Sequence, residues 1–94
     1  MCAEASNGRE AVELATQFRP DLILMDISMP VMNGLEAVRQ IRKLGIPTRI
    51  VILTMHDSAQ VMNGAHDVGA DACLTKTCGA KKLLDTIDAL LPHD

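Results

Sequence analysis

Three polar side chains of different chemistry each come directly, or almost directly, after a short aliphatic run. Residues 22–25 precede Asp26, residues 50–53 precede Thr54, and residues 72–74 precede Lys76. The carboxyl ends of parallel strands meet at one edge of a sheet, and ligands bind there in open α/β folds. A carboxylate at that edge can act as a nucleophile, while a hydroxyl and an ammonium hold and neutralise phosphoryl oxygens. Each residue alone could simply end a strand, with Lys76 pairing Asp26, but together they predict a site for phosphoryl chemistry.

The segments around these residues predict the elements that position them. The three runs lack alternation of apolar and polar residues, which is typical of parallel strands covered on both faces, and residues 1–4 could form a fourth, shorter strand. Apolar residues at helical spacing lie between the strands. They are Ala11, Leu14, Ala15 and Phe18; Ala37, Ile41 and Leu44; Val61, Ala65 and Val68; and, as the strongest stripe, Leu83, Leu84, Ile87, Leu90 and Leu91. This alternation predicts an α/β fold with a parallel sheet, and we expect the first two stripes to face it.

Local residue types predict where the helices begin and end. Asn7, followed by Glu10, suits a capping-box-like start, and Pro20 ends the first helix. Gly34 opens the second helix, which ends near Gly45, where glycine can take the left-handed conformation. For the third and fourth helices the predicted starts are Asp57 or Ser58 and Cys78 or Gly79, and Gly69 closes the third.

Length and composition exclude several classes of protein. The chain of 94 residues is predicted to form a single domain, residues 1–94. A net charge of −3 and one aromatic residue give neither a basic field nor stacking platforms, so direct nucleic-acid binding is not expected. No apolar run reaches the length of a membrane span and no signal peptide is recognisable, which predicts a cytoplasmic protein without membrane contact. Three cysteines, an odd number without metal or redox spacing, favour reduced thiols.

Residues 24–36 closely resemble the phosphoacceptor segment of response-regulator receiver domains, the CheY-like modules of two-component signalling. The segment has an aspartate after an apolar strand, Met29 and Pro30 three and four residues later, and Gly34 at the start of a helix. Thr54 and Lys76 stand in the family's hydroxyl and lysine positions in order. The resemblance covers essentially the whole chain and implies a flavodoxin-like (CheY-like) parallel sheet with flanking helices.

The resemblance also implies a function. A receiver accepts a phosphoryl group, here on Asp26, from a histidine kinase or phosphotransfer protein, and Mg²⁺ is required. Asp26 and the backbone carbonyl of Ser28 would be metal ligands. Thr54 and Lys76 would respond to the phosphoryl group and repack an interaction face made by the third helix, last strand and last helix. Such a domain is not an enzyme beyond, at most, its own phosphorylation and dephosphorylation.

The chain departs from the family pattern at its start, at Cys73 and at Thr77, which follows Lys76 where many receivers have a proline. The first βα unit, with its acidic metal-binding pair, is not found, so the fold is expected to be truncated by one βα unit at the N-terminus. We expect weak Mg²⁺ binding and slow or undetectable phosphorylation. The missing strand would lie inside the 2-1-3-4-5 sheet order, so residues 1–4 pair with the strand before Asp26, another chain donates a strand, or the fold is marginal. Cys73 stands where the family usually has an aromatic switch residue.

Other functions fit the residues less well. A hydrolase with an aspartate nucleophile would want a second aspartate where Ser28 stands, and nothing places a base beside Cys73 or Cys78. A metal site built on His56 and His66 would need them on one helical face, which their spacing opposes. The serious alternative is a receiver-like module that acts by association without phosphorylation, as a homodimer or a strand-exchanged oligomer.

Overall fold

The structure, a computed structural model, describes residues 2–27, 31–55, 59–77 and 79–91. Strands and helices alternate strictly along these residues. The elements are β1 (Cys2–Ala5), α1 (Gly8–Phe18), β2 (Leu22–Ile27), α2 (Val31–Lys43), β3 (Arg49–Thr54), α3 (Ala59–Val68), β4 (Ala72–Thr75) and α4 (Ala80–Leu90). The strands form one parallel sheet in the order β1-β2-β3-β4. The predicted α/β architecture is therefore confirmed.

The main core lies on one face of the sheet. Successive strand residues point to opposite faces, and Ile23, Met25, Ile50 and Ile52 point to the face that α1, α2 and α3 cover. The buried helix residues packed against them are Ala11 and Ala15 of α1, Ala37, Val38 and Ile41 of α2, and Ala65 of α3. The first two predicted helical stripes thus face the sheet, apart from Phe18 and Leu44, which are exposed at the helix ends.

The opposite face of the sheet is covered differently. Leu22 and Leu24 point to it from β2, and among the described helices only α4 lies on it, where Leu83 and Leu53 of β3 line the same pocket. The apolar stripe of α4 is the strongest in the sequence, yet no residue of this helix is buried. The reason is that α4 has no neighbouring helix on this face within the described residues, so sheet contacts cover one side of it only.

The pairing of β1 resolves the question of the inner strand. β1 lies directly against β2, with Ala3 opposite Ile23 and Ala5 opposite Met25. This is the first of the three arrangements considered from the sequence, and it gives β2 a hydrogen-bonded neighbour on both sides. The strand occupies Cys2–Ala5 rather than residues 1–4, and Met1 lies outside the described residues.

Helix boundaries agree with the local signals at most positions. The Asn7 side chain accepts a hydrogen bond from the Glu10 backbone N at 2.8 Å, as a helix N-cap does. Gly45, after α2, has a φ of +74°, the predicted left-handed position. Two boundaries were wrong: α2 begins at Val31 rather than Gly34, and β2 continues through Asp26 to Ile27. The proposed caps Asp57, Ser58 and Cys78 lie outside the described residues.

None of the helices in the described ranges is both long and apolar enough to cross a membrane.

Candidate functional site

The sheet brings Asp26 and Lys76 to the same edge and the same face. Asp26 is the fifth residue of β2, and Lys76 comes immediately after β4. Alternation along the strands places Asp26 with Leu24 and Lys76 with Leu74, on the face that carries α4. The strand between them is β3, so the lysine side chain reaches across it to the carboxylate. The structure places these two side chains next to each other, as expected from the sequence.

Asp26 and Lys76 form a close ion pair. Lys76 Nζ lies 2.6 Å from Asp26 Oδ1. Oδ1 is inaccessible to solvent and receives no hydrogen bond of regular geometry, so the approach of the ammonium is best described as a direct charge contact. The Asp26 side chain as a whole is 47% exposed. Since Oδ1 is covered, the solvent-facing oxygen of this carboxylate is Oδ2.

Thr54 lies at the same edge but belongs to the other face. It ends β3 in line with Ile52, on the side of α1, α2 and α3, and its side chain is fully buried. Its backbone carbonyl accepts a hydrogen bond from the Lys76 backbone N at 2.8 Å. Thr54 is therefore joined to Lys76 through the backbone, one register position beyond the level of Asp26. The three predicted site residues share one edge of the sheet, Asp26 and Lys76 on one face and Thr54 on the other.

A small open pocket lies between the ion pair and the start of α4. Its volume is about 310 Å³, and its lining residues are Asp26, Leu53, Lys76, Gly79, Ala80 and Leu83. Sequence reasoning did not assign Gly79, Ala80 or Leu83 to the site. A signal was present in the sequence: two small residues, Gly79 and Ala80, follow Lys76 by three and four positions, so the next helix begins close to the edge that carries Asp26.

The described residues supply only part of a metal site. No three His, Cys, Asp or Glu residues among them are grouped closely enough to hold a metal ion. Ser28, the other predicted ligand, lies outside the described residues. Glu4 is opposite Leu24 in the sheet, which places it on the face of Asp26 but two residues before it in register. Among the described residues, the Asp26 carboxylate is therefore the acidic group at this edge of the sheet that could contribute to a cation site.

Cys73 lies within β4, opposite Ile52 and on the side of the main core. Burial raises the pKa of its thiol above the ordinary value. The side chain packs against the core cluster as a small apolar group would. Cys73 is three residues before Lys76, at the position where receivers usually have an aromatic switch residue.

Comparison with known proteins decides the family. A family model, that of the response regulator receiver domain, matches residues 1–88. The chain belongs to the receiver domain family of response regulators. Transcriptional regulatory protein YdfI of Bacillus subtilis is 42% identical to it over 88 residues, which are 94% of this chain and 41% of that protein. Chemotaxis protein CheY of Halobacterium salinarum is 36% identical over 94% of this chain and 73% of its own length.

Solved structures agree with this assignment. A two-component response regulator of the LuxR family from Aurantimonas superposes with a TM-score of 0.81 at 34% identity, covering 92% of this chain and 61% of that one. The predicted flavodoxin-like, CheY-like fold is confirmed. This receiver spans about two fifths of the length of the longer curated relatives: the matched residues are 41% of one relative's length and 38% of another's.

Membership of the family fixes the general function. Receiver domains are the phosphoaccepting signalling domains of two-component systems and are generally not enzymes. They generally bind Mg²⁺, and response regulators interact with histidine kinases. The rival interpretation of a metal site on His56 and His66 has no structural support in the described residues. His66 is exposed on α3, and His56 lies outside the described residues.

Proposed function

We propose that Asp26 is the phosphoacceptor of this receiver and that Lys76 and Thr54 are the residues that respond to its phosphorylation. The observation that carries the proposal is the 2.6 Å contact between Lys76 Nζ and Asp26 Oδ1 at the carboxyl edge of the sheet. The phosphodonor is a histidine kinase or a phosphotransfer protein. Residues 1–94 act as one domain whose output is a change of protein contacts, in the cytoplasm.

The two oxygens of Asp26 have different roles in this proposal. Lys76 holds Oδ1, which fixes the carboxylate plane and leaves Oδ2 facing solvent as the attacking atom. Oδ2 forms a bond to phosphorus in line with the leaving nitrogen of a phosphohistidine. The P–N bond breaks, the imidazole nitrogen keeps the electron pair, and it takes up a proton. The ammonium of Lys76 then lies within reach of the transferred group and neutralises part of its charge.

The position of Thr54 suits a response rather than the transfer itself. Its side chain is buried on the face opposite Asp26, so the hydroxyl must rotate toward the edge to meet a phosphoryl oxygen. The hydrogen bond from Lys76 N to Thr54 O links that movement to the turn after β4. Since α4 begins four residues after Lys76, a change at Thr54 is transmitted to the start of α4.

Mg²⁺ would bind at the Asp26 carboxylate and the backbone carbonyl of Ser28, and weakly. A bound Mg²⁺ screens the repulsion between the carboxylate and the incoming phosphoryl group. This ion favours six oxygen ligands and keeps several waters, while Asp26 contributes one carboxylate and no group of three acidic, histidine or cysteine ligands exists among the described residues. We therefore expect slow phosphorylation, and self-dephosphorylation limited by the same weak site.

Beryllofluoride with Mg²⁺, a mimic of the phosphoryl group, tests the proposal by amide NMR. We expect shifts that centre on Asp26, Thr54 and Lys76 and that grow through the millimolar range of Mg²⁺ without early saturation. Asp26→Asn should abolish them, whereas Asp67→Asn, at an exposed carboxylate on α3, should not. Shifts that persist in Asp26→Asn, or none at any Mg²⁺ concentration, would contradict the assignment of Asp26. Saturation at low Mg²⁺ would contradict only the weak metal site.

A second candidate function is association without phosphorylation. The exposed apolar flank of α4 is the observation that favours it, since Leu84 is 63% exposed. If amide signals respond to protein concentration and not to beryllofluoride, association is the function of this chain.

A further inference from the structure

A pocket of about 490 Å³ lies at the amino-terminal edge of the sheet, opposite the edge that carries Asp26. Its lining residues come from three segments: 19–21 before β2, 46–49 before and at the start of β3, and 89–91 at the end of α4. Asp21 and Asp26 are five residues apart along extended chain, which is a separation of about 16 Å. The pocket is therefore distinct from the candidate functional site.

Two guanidinium groups border the pocket, and both have unused donors. Arg19 is exposed at the end of α1, and no hydrogen bond or ion pair joins its side chain to another residue in the described ranges. Arg49 Nη1 contacts Asp71 Oδ1 at 3.3 Å, and the Arg49 side chain is 55% exposed. A guanidinium has five N–H donors in a planar fork that matches a carboxylate. Most of the donors of Arg19 and Arg49 are thus available to an anion.

The backbone of Arg19 has a conformation that arginine rarely adopts. Its φ of +44° and ψ of +58° lie in the left-handed region, and among the described residues it is the one non-glycine residue with a positive φ. Glycine adopts this conformation at the end of a helix without the steric cost of a Cβ. Within the described residues the Arg19 side chain makes no bond that offsets this cost. Strain of this kind is typical of binding sites, and here the strained residue borders the pocket.

The other walls of the pocket decide which kind of anion fits. Pro47 is exposed and Leu90 and Leu91 are partly buried, so these residues give the pocket an apolar side. Two features oppose a high negative charge: Asp21, which already has a partner, and the negative C-terminal end of α4. A ligand with one negative charge and an apolar body therefore suits the pocket better than inorganic phosphate.

We propose that this pocket binds a small organic monocarboxylate with an apolar body. The guanidinium groups of Arg19 and Arg49 hold the carboxylate by charge-assisted hydrogen bonds, and Leu90 and Leu91 contact the body. Because both arginines are exposed, water and salt screen their charges, and the dissociation constant is in the millimolar range. Asp26 takes no part, so the Asp26→Asn variant binds equally well and the inference does not depend on the proposed function.

Titration of the full chain with benzoate, followed by NMR of amide and methyl groups at constant ionic strength, tests the site. We expect saturable shifts at residues 19–21, 46–49 and 89–91, with the signals of Asp26 unchanged. Benzamide has the ring without the charge, and acetate has the charge without the ring. Each should bind about tenfold more weakly than benzoate, because each lacks one of the two contacts. Inorganic phosphate should also bind more weakly than benzoate.

Substitutions of the arginines assign the contact to the two guanidinium groups. Arg19→Gln and Arg49→Gln should each raise the dissociation constant of benzoate about fivefold or more. Arg9→Gln, at an exposed arginine of α1 outside the pocket, is the matched control and should leave the constant unchanged. Arg19→Gly should lose binding as Arg19→Gln does, while its thermal unfolding midpoint stays the same or rises, because glycine suits the left-handed conformation. A purely structural role of Arg19 would not give this combination.

Opposite outcomes would overturn the proposal. Benzoate that gives no saturable shifts at the three segments contradicts it, and so does benzamide that binds as tightly as benzoate. Inorganic phosphate that binds more tightly than benzoate would exclude a monocarboxylate with an apolar body as the ligand. Unchanged benzoate binding in Arg19→Gln and Arg19→Gly, or an equal loss in Arg9→Gln, would show that Arg19 does not hold the carboxylate. The Arg19 variants break no bond among the described residues, so their effect on binding is separate from unfolding.

Discussion

Arg42 Nη2 donates a hydrogen bond to Asp71 Oδ2 at 2.9 Å, at the end of the sheet opposite Asp26. The same guanidinium donates to the carbonyls of Gly69, Ile46 and Thr48 at 3.0, 3.1 and 2.8 Å. One side chain at the end of α2 thus holds the loops before β3 and β4. Asp71 in turn accepts from the backbone N of Ile50. With its side chain only 17% exposed, Asp71 is a largely desolvated partner.

Replacement of Arg42 should therefore cost more stability than its position near the surface suggests. Arg42→Ala should lower the free energy of unfolding by about 2 to 3 kcal/mol, because it removes the closest cation from a largely desolvated carboxylate and the guanidinium donor from three carbonyls. Asp71 keeps its contacts with Ile50 N and Arg49 Nη1, which limits the loss. Arg42→Lys should recover less than half of the loss, since an ammonium cannot reproduce the fork of the guanidinium. Urea unfolding measures both. Arg39→Ala on the same helix, where the contact to Glu36 is exposed and 3.8 Å long, should stay within about 0.5 kcal/mol of the wild type.

Gly69 lies against the stem of Arg42 and should not tolerate a side chain. Its φ is +103°, and an added Cβ would lie 3.0 Å from Arg42 Cγ. Gly45 also has a positive φ, +74°, but an added Cβ there meets nothing within 4 Å. Gly45→Ala should cost about 1 kcal/mol of stability, and Gly69→Ala about 2 kcal/mol or more. Equal losses in thermal or urea unfolding would show that the contact with Arg42 does not matter.

The features that the sequence predicts correctly depend on near neighbours or on strand ends. Asn7 caps α1 through Glu10, three residues away, and Gly45 ends α2, because these contacts are decided by local residue types. Asp26 and Lys76 meet because parallel strands bring their carboxyl ends to one edge. The bonds of Arg42 to Gly69 and Asp71 join residues 27 and 29 positions apart, and no local pattern encodes them.

The features that the sequence does not predict also depend on residues far apart in the chain. Periodicity predicts that α4 has an apolar side, but whether that side is buried depends on what else lies on the same face of the sheet. The extension of β2 through Asp26 depends on its pairing with β3, where Asp26 is opposite Leu53 and Ile27 opposite Thr54. A charged residue after an apolar run looks like the end of a strand when these partners are not known.

Cys73 should react slowly with thiol reagents, and at higher pH than an ordinary cysteine. Burial raises the pKa of its thiol, so at any mildly alkaline pH a smaller fraction is the reactive thiolate. In a Cys78→Ser background, iodoacetamide should modify the exposed Cys2 first, and the rate at Cys73 should still rise at a pH where a free thiol has reached its plateau. Mass spectrometry of peptides measures the two rates. Equal rates in the folded chain would mean that Cys73 is more exposed than its packing against the core implies.

The ion pair of Asp26 and Lys76 should contribute to stability in a way that depends on both partners. Lys76→Ala leaves the solvent-inaccessible Oδ1 of Asp26 without its counter-charge and should cost about 1 kcal/mol, a value between those of exposed and buried pairs because the carboxylate is half exposed. In the Asp26→Asn background the same replacement should cost almost nothing. Urea unfolding of the wild type, the two single variants and the double variant should give a coupling free energy of about 1 kcal/mol, which should fall at high salt.

Lys82→Ala, at an exposed lysine on α4, is the control and should show no coupling to Asp26. Additive effects of Lys76→Ala and Asp26→Asn would mean that the contact is not energetically significant, and Lys76 would then be free to move onto a phosphoryl group without loss.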